Sequence, residues 1–169
     1  SGLEPRDIGL VEAHGTGTPL GDATEVKVLA EVFAGAPAGA HVWLGSVKSM
    51  IGHAMPAAGA AGLIKAVYAV YHGVLPPSLH CEEPHPTLAG TRFEVLATAR
   101  EWTQDQRVAG VDAFGFGGIN THVVLSSHGA ASRTPRRAAI NPIDRVDVDV
   151  VALAGDSPDA VLALLRAGV

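Results

Sequence analysis

The chain has 169 residues, 47% of them hydrophobic, which suits one domain, or one domain and part of another, with a buried core. Twelve basic and 17 acidic residues give a formal net charge of −5, which argues against nucleic-acid binding because that needs concentrated positive charge. No apolar run reaches the roughly 18 residues of a membrane span. The single cysteine, Cys81, cannot form an internal disulfide and favours a reducing, cytoplasmic compartment.

The chain opens almost directly on a first predicted strand, an apolar run at residues 8–13, and this abrupt start indicates a fragment. A loop rich in Gly and Pro follows at residues 14–21. Asp22 and Glu25 resemble a capping box, which predicts that the next helix runs from Asp22 to Phe33.

A second strand is predicted at residues 41–47, followed by a loop at 48–53 and a long helix at 56–71. The first turns of this helix contain Gly59 and Gly62, and each helical glycine costs about 1 kcal/mol relative to alanine. Two glycines so close together predict that another backbone or a ligand approaches the helix closely. Plain packing of the helix on a sheet is an equally good interpretation.

The stretch at residues 74–91 is rich in Pro and polar residues, which predicts an extended surface segment. A short strand is predicted at 92–96. Two further strands, at 108–113 and 121–126, flank the Gly-rich turn 114–120 and can pair as an antiparallel hairpin.

The composition changes near residue 128, so residues 1–128 are predicted as the main domain and residues 129–169 as a separate segment. That segment begins as a linker with arginines and prolines. A short strand at 148–154 and a short helix at 160–167 then follow, and the two are too few to form a core of their own.

Three loop segments carry the polar residues suited to chemistry: 12–18 (EAHGTGT), 48–53 (KSMIGH) and 114–120 (FGFGGIN). Each is ambiguous alone. His14 can be a structural histidine, the first loop lacks the lysine of a phosphate loop, and the third does not lead into a helix as a dinucleotide fingerprint requires. Together, the order and the residues of these motifs over residues 7–127 resemble the C-terminal half of the β-ketoacyl synthase family, in the thiolase superfamily.

This resemblance implies an α/β fold: a layered α/β/α half of a thiolase-like fold with a mixed sheet, followed by a short linker strand and helix. It implies that residues 129–169 begin the module that links a ketosynthase to a downstream acyltransferase. It also implies an acyltransferase activity, the decarboxylative Claisen condensation of a malonyl-carrier with an acyl thioester in polyketide assembly. The family's nucleophilic cysteine belongs to an N-terminal half that this chain does not contain.

The resemblance assigns catalytic roles to His14, His53 and Lys48. Two imidazoles can donate hydrogen bonds to the oxygen of a thioester enolate, and Lys48 can orient His53. Lys48 can alternatively be an ordinary surface lysine, although its apolar neighbours favour a buried ammonium.

Phe116 matches the family's gating phenylalanine, and its backbone N–H is expected to form half of an oxyanion hole. Gly115, Gly117 and Gly118 allow the turn that this role needs. Thr16 and Thr18 match positions that bind the pantetheine arm of the carrier, but their hydroxyls can equally stabilise the turn.

Cys81 lies in an irregular, Pro-rich stretch rather than at a strand-to-helix elbow, so we do not expect it to be the nucleophile. His80, Cys81, Glu83 and His85 have no common zinc spacing, so we expect neither a metal nor a bound cofactor there.

Gly62 replaces a glutamate that is frequent in fatty-acid-type synthases, and this favours a polyketide synthase. The sequence of residues 21–25 and 50–59 is more similar to that of iterative enediyne or polyunsaturated-fatty-acid synthases. The expected partners are an acyl carrier protein with its phosphopantetheine arm, the N-terminal ketosynthase half and a second copy in a homodimer. The alternative is a non-catalytic ketosynthase fragment that docks carriers or acts as a scaffold, and a thiolase-like degradative enzyme is a weaker third interpretation.

Overall fold

The computed structural model describes residues 2–35 and 41–127, together with Ser157. The chain divides into two compact units, residues 1–132 and 133–169, and every element below belongs to the first unit. The predicted linker with its strand at 148–154 and its helix at 160–167 lies outside the described residues, so this domain assignment stays a prediction.

Seven strands and three α-helices make up the described elements, with short 3₁₀ turns between some of them. In chain order they are β1 Leu10–Glu12, α1 Pro19–Val32, β2 Val42–Gly45, α2 Lys48–Ile51, α3 Ala58–His72, β3 Val74–Leu75, β4 Phe93–Val95, β5 Arg100–Glu101, β6 Val108–Phe114 and β7 Asn120–Ser126. The main sheet has the order β4-β2-β1-β6-β7, and β3 pairs with β5 in a separate small sheet.

The main sheet is mixed and has a helix on each face. Strands β4, β2, β1 and β6 are parallel, while β7 runs antiparallel to β6. Successive residues of a strand point to opposite faces, so Val11 packs in the cluster that contains Leu29 of α1, and Leu10 packs in the cluster that contains Ala66 of α3. This confirms the predicted layered α/β/α arrangement.

The five strands predicted between residues 8 and 126 are confirmed to within a few residues. The hairpin pairs Val108 with Ser126 and Phe114 with Asn120, so the Gly-rich turn between β6 and β7 is where the sequence predicts it. Within the described residues, no helix is both long enough and apolar enough to cross a bilayer.

The predicted start of the first helix is wrong. Helix α1 begins at Pro19, in the first helical position after the N-cap Thr18, and not at Asp22. The predicted capping box does not form, because the Glu25 carboxylate instead accepts hydrogen bonds from the loop that follows β1. A tertiary contact here overrides a local motif.

Two other segments are more ordered than their composition predicts. Residues 48–53, predicted as a loop, begin with the one-turn helix α2. The predicted surface stretch 74–91 begins with strand β3, which pairs with β5, a strand that the sequence analysis did not identify.

Gly59 and Gly62 bring α3 close to the sheet. A Cβ added at Gly59 would lie 3.0 Å from the Cβ of Ala113, and one added at Gly62 would lie 3.1 Å from Cγ of Glu12. The close approach expected from the glycines is therefore an approach to side chains of β1 and β6, as the helix–sheet packing interpretation proposed.

Candidate active site

Three parallel strands bring the three motifs to one edge of the sheet. His14 follows β1, Lys48 follows β2, and Phe114 is the last residue of β6. Because β1 lies between β2 and β6 and is parallel to both, the carboxyl ends of these strands meet. The loops that were predicted to act together are therefore neighbours.

The two candidate histidines lie side by side. Their ring centroids are 5.8 Å apart and the rings are nearly perpendicular, with an interplanar angle of 86°. The ring of Phe114 also lies beside His14, with 5.2 Å between the centroids. His53 is exposed and His14 is half-buried, so the pair lies on an open surface of this chain.

Backbone hydrogen bonds fix the tautomer of each neutral ring. The N–H of Phe114 donates to Nδ1 of His14 at 3.3 Å, and the N–H of Met55 donates to Nδ1 of His53 at 3.0 Å. A nitrogen that accepts a hydrogen bond carries no proton, so the proton of each neutral imidazole is on Nε2. Both rings therefore present an Nε2–H donor.

His14 is held in its neutral form. Partial burial lowers its pKa below 6.5, the positive charge of Lys48 lowers it further, and the neighbouring His53 acts in the same direction. The carboxylates of Asp112 and Asp22 act in the opposite direction but do not reverse the shift. Near neutral pH the ring is thus a neutral hydrogen-bond donor rather than an imidazolium.

Lys48 begins α2 and is half-buried. Burial lowers the pKa of its ammonium, and the carboxylates of Glu12, Glu25 and Asp22 oppose that shift. Among the described contacts, no hydrogen bond joins Lys48 to His53, so the expected direct orientation of His53 is not observed. The effect of Lys48 on the histidine pair is electrostatic and acts on His14.

Glu25 supports the loop that carries His14. Its Oε1 accepts from the N–H of His14 at 2.8 Å, and its Oε2 accepts from the N–H of Gly15 at 2.9 Å. Burial raises the pKa of this carboxyl group, while the two backbone N–H groups oppose the shift. The sequence alone indicates a helix-capping role for Glu25, because it does not reveal which backbone groups lie nearby in the fold.

The Gly-rich turn between β6 and β7 is closed by its own backbone. The N–H of Gly115 donates to the carbonyl of Ile119 at 2.9 Å, and the N–H of Gly118 donates to the carbonyl of Gly115 at 3.2 Å. Gly117 and Gly118 have φ of 91° and 86°, a region that favours glycine. Phe116, at the tip, is 92% exposed, and its gating and oxyanion roles stay predictions.

The hydroxyls of Thr16 and Thr18 are 3.1 Å apart and hydrogen-bond to each other. Asp22 closes the same loop, because its Oδ1 accepts from the N–H of Gly17 at 3.2 Å. The hydroxyl contact is the turn-stabilising interaction that the sequence analysis considered. The pantetheine contact stays a prediction.

A cavity of about 330 Å³ lies behind the loops and includes Lys48 and Cys81 in its lining, but neither His14 nor His53. Burial raises the pKa of the Cys81 thiol and the nearby charge of Glu82 raises it further, so the thiol is a poor nucleophile at neutral pH. Within the described ranges, no three His, Cys, Asp or Glu side chains are grouped to hold a metal ion.

Two sequence families together match almost the whole chain. The family described as the C-terminal domain of β-ketoacyl synthase matches residues 1–82. The family described as the C-terminal extension of ketoacyl synthetase matches residues 83–168.

Similar proteins include very long polyketide synthases. The chain is 49% identical over 130 residues to the spectinabilin polyketide synthase system protein NorA of Streptomyces orinoci, a match that covers 74% of this chain and 7% of that protein. It is 52% identical over 129 residues to the polyketide synthase GfsE of Streptomyces halstedii, covering 73% of this chain and 3% of that one. The chain thus spans a small part of these relatives, and their names do not confirm the enediyne or polyunsaturated-fatty-acid branch.

Solved ketosynthase structures share the fold. The oxazolomycin ketosynthase domain OzmH KS7 of Streptomyces albus JA3453 is 46% identical, with a TM-score of 0.71, over 76% of this chain and 23% of that one. The ketosynthase from module 1 of the bacillaene synthase of Bacillus amyloliquefaciens FZB42 is 38% identical, with a TM-score of 0.72, over 77% and 25%. These matches confirm the predicted thiolase-like α/β fold.

Proposed function

Because the chain belongs to the β-ketoacyl synthase family and matches the C-terminal part of these proteins, we propose that it supplies the enolate-stabilising half of a polyketide synthase condensation site. In the intact enzyme, His14 and His53 act on a malonyl group that is bound as a thioester to a carrier protein. The acyl chain that is extended is held on a cysteine contributed by the N-terminal half of the same domain.

The observation that carries this proposal is the shared protonation pattern of two adjacent rings. Each Nδ1 accepts a backbone N–H, and the centroids are 5.8 Å apart. Two rings whose centroids are this close can each direct an Nε2–H group at a single oxygen. A pair of N–H donors suits a group that becomes an anion during the reaction.

The chemistry follows from that donor pair. When the bond between the malonyl α-carbon and its carboxylate breaks, carbon dioxide leaves and the electron pair moves into the thioester as an enolate. Negative charge then develops on the thioester oxygen, where the two N–H donors stabilise it. The enolate carbon attacks the acyl thioester on the cysteine, and the thiolate is released as the leaving group.

The Gly-rich turn is proposed to serve the acyl half of the reaction. The backbone N–H of Phe116, with the N–H of the absent cysteine, stabilises the tetrahedral oxyanion, and its exposed ring gates access. Thr16 and Thr18 contact the pantetheine arm. Cys81 takes no part, so the chain alone is expected to catalyse no condensation and to form no acyl adduct.

The outer face of α3 fits the proposed partner half. Ile64, Tyr68 and Tyr71 are 57%, 61% and 57% exposed, while Ala66 and Ala69, on the opposite side of the helix, are buried in the core. Such an apolar face is expected to be covered in the complete protein. We propose that the remaining part of the ketosynthase covers it in a cytoplasmic homodimer that receives acyl carrier proteins.

The test is decarboxylation of a malonyl-carrier by the intact ketosynthase that carries this segment. We expect His53→Ala to lower the rate by about 10²–10³-fold, as for loss of an oxyanion donor. His41→Ala is the matched control, since His41 precedes β2 at the opposite edge of the sheet. Undiminished decarboxylation by His53→Ala would instead support a carrier-docking or scaffolding role.

A further inference from the structure

A buried ion pair lies beneath the three motifs. Glu12, the last residue of β1, is 1% exposed, and its Oε2 is 2.7 Å from Nζ of Lys65 on α3. The two side chains are 2% and 10% exposed. Charges are rarely buried unless they are paired, so the position of this pair requires an explanation.

The other oxygen of the same carboxylate reaches a third segment. Oε1 of Glu12 accepts a hydrogen bond from the backbone N–H of Val47, the residue immediately before Lys48. Glu12 itself lies two residues before His14, and Lys65 lies on the helix that follows His53. One carboxylate therefore joins the segments that carry His14, Lys48 and His53.

Two glycines leave room for the ion pair. A Cβ at Gly62 would lie 3.1 Å from Cγ of Glu12 and 3.4 Å from its Oε1. On the other side of the pair, a Cβ at Gly45 would lie 3.4 Å from Nζ of Lys65. The two glycines thus lie beside the ion pair, and the missing side chain at Gly62 leaves space for the Glu12 side chain next to α3.

The charge on Glu12 also acts on Lys48. Among the charges that hold the pKa of the Lys48 ammonium up against burial, Glu12 contributes most, ahead of Glu25 and Asp22. The titratable groups around this centre come from several elements: Glu12 on β1, His14 after β1, Asp22 and Glu25 on α1, His53 before α3, Lys65 on α3, and Asp112 on β6.

We propose that Glu12 and Lys65 are positioning residues for the condensation site, and that their buried pair fixes the segment carrying Lys48 against the two histidines and supplies a negative charge that acts on Lys48. The inference rests on the proposed function for its catalytic meaning. In this proposal neither side chain contacts a reacting atom. Both act through Val47 and Lys48.

A merely structural ion pair would behave differently. Replacing a buried pair by neutral side chains of similar volume is often neutral for stability, whereas removing one partner leaves an uncompensated charge. A structural role therefore predicts that a neutral double substitution restores the protein fully. A positioning role predicts that the double substitution restores the fold but leaves Lys48 altered.

The test uses Glu12→Gln and the double variant Glu12→Gln/Lys65→Met in the intact ketosynthase, with the exposed Glu31→Gln as control. Glutamine keeps an oxygen that can accept from Val47, so the first change removes mainly charge. Lys48 is followed by competitive acylation at a series of pH values, read by mass spectrometry, and malonyl-carrier decarboxylation is followed in parallel.

We expect the pH midpoint of Lys48 acylation to fall in both variants, because the negative charge of Glu12 is lost, and to stay unchanged in the control. The pH at which the decarboxylation rate declines on the alkaline side should fall as well, because without the Glu12 anion the Lys48 ammonium loses its proton at a lower pH. An unchanged Lys48 midpoint in both variants overturns the inference. The acylation measurement does not depend on catalytic activity. Failure of this inference is therefore distinguishable from failure of the proposed function, which His53→Ala tests.

Discussion

Phe114 and His14 are 100 residues apart in the chain, yet the N–H of Phe114 donates a hydrogen bond to Nδ1 of His14. The contact exists because β6 pairs directly with β1, which places the ends of the two strands side by side. Strand β6, which forms part of the main sheet, thus also determines which nitrogen of the neutral His14 ring carries the proton. The tautomer of the neutral His14 ring is therefore a consequence of the fold.

Removing the Lys48 charge should raise the pKa of His14 toward its ordinary value of 6.5, because Lys48 is the largest charge that lowers it. We expect Lys48→Met to move the protonation midpoint of His14 upward, so that the ring becomes cationic at a higher pH than in the parent protein. The measurement is hydrogen exchange at the imidazole C2 of His14 against pH, by mass spectrometry. Lys27→Met, at an exposed position of α1, should leave the midpoint unchanged, and a downward shift in Lys48→Met would contradict the assignment.

Much of this arrangement could be predicted from the sequence, because apolar runs locate the strands and three ordered motifs locate the histidines, the lysine and the Gly-rich turn. The supporting contacts could not. Glu12 and Lys65 are 53 residues apart, and a glutamate at the end of a strand has no local feature that reveals its partner. Glu25 was misassigned for a related reason, since a D-x-x-E pattern describes a possible cap while the nearby His14 and Gly15 N–H groups compete for the carboxylate.

Gly62→Ala should destabilise the domain although alanine is the better helix former. The gain in helix propensity is about 1 kcal/mol, but the new methyl group would lie 3.1 Å from the Glu12 side chain, and such overpacking typically costs about 1–3 kcal/mol. We expect a lower urea midpoint in equilibrium unfolding. Ala60→Gly, at an exposed position of the same helix, measures the propensity contribution alone. A higher midpoint for Gly62→Ala would show that the ion pair can move aside without cost.

The 169-residue chain on its own should self-associate, because the outer face of α3 leaves Ile64, Tyr68 and Tyr71 more than half exposed. Size-exclusion chromatography with light scattering over a range of concentrations measures this. The double substitution Ile64→Lys/Tyr68→Lys should shift the chain toward monomer. Lys substitutions at the exposed Val28 and Val32 of α1 are the matched control. A compact monomer of the unsubstituted chain at all concentrations would count against an interface on α3.

The central claim is that His14 and His53 act together on one oxygen, and a double-mutant cycle on malonyl-carrier decarboxylation by the intact ketosynthase tests it most directly. We predict that His14→Ala and His53→Ala each lower the rate by about 10²–10³-fold, and that the double variant is lowered by much less than the product of the two losses. Losses that multiply in full would contradict joint action on a shared oxygen, and a double variant with the parent rate would contradict any role of the pair in the reaction.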